Sequence, residues 1–145
     1  MAPLSAGLLS DTQRYFRALD AYRAGDPNEI VKVLSEAALR AVENGRLLTA
    51  DLEQIRMDWQ QLAVGRAGSA ARELLDLLLA QPLITTTRAI ELLGRTAVNT
   101  QRAIDTLVDA GVLTQIGQTR RNRIWQAREV LFALEQFATR TRRRR

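Results

Sequence analysis

The chain has no histidine and no cysteine. It therefore lacks the commonest general base and the commonest metal ligand, along with any thiolate nucleophile or disulfide. The carboxylates do not make up the loss. Asp51 and Glu53 fall on the expected solvent side of a helical pattern, with no second acid placed to divide donor and acceptor roles. Gly65-Arg66-Ala67-Gly68-Ser69 has glycines but no lysine and no preceding strand, so it reads as a linker rather than a phosphate-cradling loop. The chemistry that remains is recognition. Asn99, Gln101 and Arg102 are residue types that form bidentate contacts with adenine or guanine edges. Thr96 begins the same run, Arg95 precedes it, and Arg120, Arg121 and Arg123 supply compact positive charge suited to phosphate. DNA is thus a candidate partner. No catalytic residue, metal, cofactor or small-molecule substrate is expected. The same side chains are also ordinary solvent-facing residues, and the alternative of a protein partner or self-association stays open.

The elements that must position these residues follow from periodicity and punctuation. From Ser69, which can cap a helix, Leu74, Leu75 and Leu78 mark a helical face that Pro82 terminates. Leu83-Ile84 is a short apolar step suited to an edge strand. Thr86 or Thr87 can cap a short helix bearing Ala89, Ile90 and Leu93, closed by Gly94. A further helix is expected from about Thr96 to Gly111, with Thr100, Ala103, Ile104 and Leu107 inward. Thr96, Val98, Asn99, Gln101 and Arg102 then lie on its opposite side. Extended segments at 112–116 and 123–126, joined by a basic, turn-rich stretch, read as a hairpin with a long tip. Trp125 is expected to pack there rather than stack on a base. A last helix should run from Arg128 to Thr139, with Val130, Leu131, Leu134 and Phe137 inward.

Helix, short helix, tight turn, helix and basic hairpin is the order of a winged helix-turn-helix, in which the helix after the turn enters the major groove. The fold expected is mainly α. A helical N-terminal segment (1–64) and a linker (65–68) lead into a winged helix-turn-helix (69–139) with a small hairpin wing and a C-terminal helix, and a basic tail (140–145) follows.

In the first segment, Ser10 and Gln13 suggest a capping box ahead of Tyr15, Ala18, Leu19 and Tyr22, with Gly25 as a stop. Asp26-Pro27-Asn28-Glu29 then restarts a helix: Asp26 suits the cap and Pro27 the first helical position. Ile30, Leu34, Ala37, Ala38 and Ala41 share one face. Asn44-Gly45 could end this helix, yet Leu48, Leu52, Ile55, Trp59 and Leu62 continue the period, so a break and a long helix are both open. Trp59 reads as core.

Charge is unevenly placed. Residues 1–68 hold 8 Lys+Arg against 9 Asp+Glu, and residues 69–145 hold 13 against 7. Five of those 13 are Arg140, Arg142, Arg143, Arg144 and Arg145, so much of the +5 net charge is a terminal arginine run. Such a run is ordinarily a solvated tail, and it attracts polyanions without sequence choice. The longest apolar run, Leu74 to Ala80, is interrupted by Asp76, and Met1-Ala2-Pro3-Leu4 lacks the character of a signal peptide. A cytoplasmic setting and no membrane partner are expected.

The stretch Pro3-Leu4-Ser5-Ala6-Gly7-Leu8-Leu9, then Tyr15-Phe16, then Leu19 to Pro27 resembles the region just after the active-site motif in bacterial Fic (filamentation induced by cAMP) family proteins. Ile30-Val31 and Asn44-Gly45-Arg46 are similar too. The string Tyr-Arg-Ala-Gly-Asp-Pro is distinctive but carries no chemistry. The resemblance implies a winged-helix domain at the C-terminal end and, in a parent protein, transfer of AMP or a related nucleotide group onto a protein hydroxyl. That activity needs H-x-F-x-D/E-G-N-G-R, which is absent here. The inhibitory motif S/T-x-x-x-E-G/N also fails, because Gln54 follows Glu53. The reading is therefore a non-catalytic C-terminal fragment of a Fic-like protein, whose winged helix binds DNA or regulates the parent. Its alternative is a dimerisation or protein-interaction module that positions a nucleotidyltransferase (AMPylation) domain.

Overall fold

The computed structural model describes residues 8, 11–62, 65–117 and 123–142. The chain is mainly helical and divides into two compact units: residues 51–133, and residues 1–50 with 134–145. Two helices, Asn28–Gln61 and Arg128–Arg142, contribute residues to both units.

In the unit holding the N-terminal residues, helix α1 spans Thr12–Arg23. Asp11 caps it, its carboxylate accepting from the Arg14 backbone N–H at 2.9 Å. The carboxylate therefore takes the capping role expected of Ser10, which lies outside the described residues. The helix ends where expected. Gly25 adopts φ +100°, and the N–H groups of Gly25 and Asp26 return to the carbonyls of Tyr22 and Ala21, each at 3.0 Å. This Schellman closure needs a left-handed residue, which only glycine supplies at no steric cost. Asp26 then restarts the chain by accepting from the Asn28 backbone N–H at 3.0 Å.

Helix α2 runs unbroken over Asn28–Gln61. The stop considered at Asn44-Gly45 does not occur. The Asn44 side chain turns outward instead: its amide donates to the Phe137 carbonyl and the Thr141 hydroxyl, and its oxygen accepts from the Arg140 Nε at 2.9 Å. Satisfying that side chain removes the competition with the backbone that makes asparagine a helix breaker. Ala18, Ile30 and Val33 form a small core, with Tyr15 and Leu34 partly buried against it. Ala37 and Ala41 are also buried.

In the other unit, helix α3 (Ala70–Ala80) is capped by Ser69. Strand β1 (Leu83–Thr85), helix α4 (Thr86–Leu93), helix α5 (Ala97–Asp109), strand β2 (Thr114–Ile116), strand β3 (Ile124–Gln126) and helix α6 (Arg128–Arg142) follow. The cap of α4 is Thr85, one residue before those expected, accepting from the Arg88 N–H at 3.1 Å. The strands form an antiparallel sheet in the order β1-β3-β2, with Ile84 opposite Trp125 and Thr114 opposite Gln126. Leu74, Leu78, Ile104, Leu107, Leu113 and Val130 are fully enclosed and define the core. Both tryptophans are buried, as expected. Trp59 Nε1 donates to Glu129 at 2.7 Å and Trp125 Nε1 to the Thr86 hydroxyl at 3.2 Å, so neither ring buries an idle donor.

Two expectations for α6 need correction. The helix continues to Arg142, so Arg140 and Thr141 are helical and hydrogen-bonded rather than a solvated tail. Leu134 was expected inward but is 39% exposed, whereas Ala133 takes the buried position. The heptad-like spacing in the sequence did not distinguish these neighbours.

The Arg14 guanidinium donates to Glu36 at 2.6 and 3.2 Å, bridging α1 to α2. That hydrogen bond holds the Glu36 carboxyl below its ordinary range; the charges of Arg14, Arg40 and Lys32 act the same way, and partial burial opposes them. The unfolded chain thus takes up this proton at a higher pH than the folded chain. The bridge stabilises the fold above the ordinary glutamate range, and that share is lost as pH falls through the lower folded value. Melting curves of the wild type and Glu36→Gln between about pH 7 and pH 3 should show a gap that closes on acidification. A gap that stays constant across that range contradicts the assignment.

Candidate nucleic-acid interface

The site is built around the turn between α4 and α5. Gly94 sits at φ +59°, ψ 28°, and its N–H returns to the Ile90 carbonyl at 3.0 Å, closing α4 with a single left-handed residue. Arg95 follows, and Thr96 is already the cap of the next helix, its hydroxyl accepting from the Asn99 N–H at 3.3 Å. Three residues therefore separate the two helices. Gly111, at φ +78°, closes α5: its own N–H and that of Val112 return to Val108 and Leu107, each at 2.9 Å, and place Val112 and Leu113 in the core.

Helix α5 packs with α3 and α4 through Thr100, Ala103, Ile104 and Leu107, all buried as expected. Its other side faces solvent. Val98, Asn99 and Arg102 are exposed, and Gln101 is half-buried. The expected residues differ in how free they are. Arg95 is tied to the Glu73 carboxylate at 2.8 Å, and Gln101 donates to Asp105 at 2.8 Å. The side chains of Asn99 and Arg102 have no hydrogen-bond or salt-bridge partner among the described residues. Arg123 is half-buried just before β3. Arg120 and Arg121 lie outside the described residues.

Positive charge on this face is local. Asp105 and Asp109 are exposed further along α5, so its first turn and a half presents Asn99 and Arg102 while its later part presents carboxylates. Among the described residues, no group of three or more acidic side chains gathers in a way that could hold a metal ion. No helix among them is long and apolar enough to cross a membrane.

No family model matches the chain, and no curated protein matches it.

Sequence reasoning located α5 and its exposed residues, because the buried stripe repeats every three to four positions. It missed the two tethers, Arg95 to Glu73 and Gln101 to Asp105. Only the second had a signal, the i to i+4 spacing that lets glutamine reach an aspartate one turn on.

An added Cβ at Gly94 meets no atom within 4 Å, so a side chain there is opposed by backbone conformation alone. Gly94→Ala should cost about 1 kcal/mol or slightly more, and Gly94→Asn less, because asparagine visits the left-handed region more readily. Urea denaturation should rank the three proteins Gly, Asn, Ala in falling midpoint. An alanine variant as stable as the wild type contradicts the turn geometry.

Proposed function

We propose that residues 69–139 are a winged helix-turn-helix that binds duplex DNA, with α5 in the major groove and the β2–β3 hairpin as the wing. The observation that carries this reading is the division of α5 into a fully buried stripe (Thr100, Ala103, Ile104, Leu107) and a solvent face on which Asn99 and Arg102 stand unpaired among the described residues, directly after a three-residue turn. A major groove about 12 Å wide admits one helix in this orientation. The sheet order, with β1 pairing against β3, joins the β2–β3 hairpin to the strand that leads into α4.

Base edges are read by Asn99 and Arg102, with Gln101 as a third contact once it leaves Asp105. Arg95, Arg120, Arg121 and Arg123 serve the phosphates, and Thr96 adds a hydroxyl at the helix N-terminus. The helical residues 1–64 belong, in this proposal, to the C-terminal part of a Fic-like protein. The support is the Tyr22-Arg23-Ala24-Gly25-Asp26-Pro27 string and its neighbours, and the chain itself is non-catalytic. A second reading, a module for self-association or protein contact, draws support from exposed apolar side chains in that part: Phe16 (60% exposed) and Leu39 (73%).

Fluorescence titration with duplex recovered from a randomised pool tests the proposal. Arg102→Ala should cost about 1–3 kcal/mol on the recovered site and little on random duplex. Arg123→Ala should weaken both and reduce the salt slope by about 1. Equal loss on both duplexes for Arg102→Ala contradicts the base-reading role. A dimer by light scattering without salt-sensitive duplex binding favours the second reading.

A further inference from the structure

Of the two exposed valines on α5, Val98 is far more open to solvent than Val108, and packing within the fold does not account for it. It lies in the first turn of the helix and is 61% exposed. At about 100° per residue, nine positions place it on the side opposite Leu107, the fully enclosed centre of the buried stripe. Arg102 is one turn further along the same face, and Asn99 is adjacent. A β-branched residue at an exposed helical position gains nothing from packing and is a poorer helix former than alanine. Single exposed apolar residues are common on protein surfaces. This one lies in the first turn of α5, about 40° round the helix from Arg102 and about 100° from Asn99, the two unpaired side chains of the solvent face.

The only apolar group that the major groove presents on a base edge is the C5-methyl of thymine. Both the size and the branching of valine suit contact with it. We infer that Val98 reads a thymine methyl, so that the site bound by this chain contains a thymine close to the bases read by Asn99 and Arg102. This rests on the DNA-binding reading above and adds a specificity determinant to it: α5 selects for thymine over cytosine by apolar contact. The carboxylates of Asp105 and Asp109 at the far end of the face keep that part of the helix from the phosphates, which leaves the N-terminal turn as the part that reaches the bases.

The experiment uses the full chain and the duplex recovered from a randomised pool. Each thymine of that duplex is replaced in turn by uracil, which keeps the pairing and loses only the methyl. At one position the wild type should bind the uracil duplex about fourfold more weakly, the loss expected for one buried methyl. Val98→Ala should bind the thymine and uracil duplexes alike at that position. Because Val98 is exposed and alanine is a better helix former, Val98→Ala should melt no lower than the wild type, so loss of discrimination cannot be assigned to unfolding. Wild-type binding that is unaffected by uracil at every position overturns the inference while leaving DNA binding intact. So does a thymine preference that survives Val98→Ala. Failure to recover any duplex, with no salt-sensitive binding to random duplex, overturns the DNA-binding reading and the Val98 contact with it.

Discussion

The arrangement in residues 51–133 depends on burying one face of α5. Ile104 and Leu107 are wholly enclosed, together with Leu74 and Leu78 of α3, Leu113 beyond the α5 terminus and Val130 of α6. Burial of a leucine or isoleucine of this size contributes roughly 1.5–3 kcal/mol. A helix with one face so fixed cannot rotate, so its opposite face is fixed as well. That face carries Val98, Asn99 and Arg102. Thr100 is held in the same core with its hydroxyl unpartnered among the described residues, a local cost the apolar packing outweighs.

Around that constraint, the punctuation is set by residues with special backbone or capping chemistry. Gly94 and Gly111 close α4 and α5 in left-handed conformations, and Ser69, Thr85 and Thr96 open α3, α4 and α5 through their hydroxyls. The result is a short turn that leaves little freedom between α4 and α5. The proposed DNA binding would gain from such rigidity, because less conformational entropy is lost on binding. The tethers of Arg95 to Glu73 and Gln101 to Asp105 add a different property: in the proposed complex each side chain would exchange a carboxylate for a DNA contact, so neither would be a free contribution to affinity.

Much of this was legible in the sequence. The stripe from Thr100 to Leu107, the stops at Gly25, Gly94 and Gly111 and the core positions of Trp59 and Trp125 follow from period and residue type. What the sequence left open, missed or misplaced shares a cause. Asn44-Gly45 carries the local signature of a helix end, yet the asparagine is satisfied by Phe137, Arg140 and Thr141, residues more than ninety positions away. Leu134 and Ala133 are adjacent, and which of them is buried depends on packing that the helical period does not resolve. The Arg95–Glu73 pair likewise joins residues 22 apart. Local pattern records what a segment prefers; these outcomes were decided by partners distant in the chain.

The most direct test of the account is to follow backbone amide chemical shifts of the full chain by NMR as recovered duplex is added. The account predicts that the largest changes cluster at residues 95–102 and in the β2–β3 hairpin, with residues 12–47 little affected, and that they vanish at high salt. Changes confined to α1 and the first half of α2, or none at the start of α5, would contradict it.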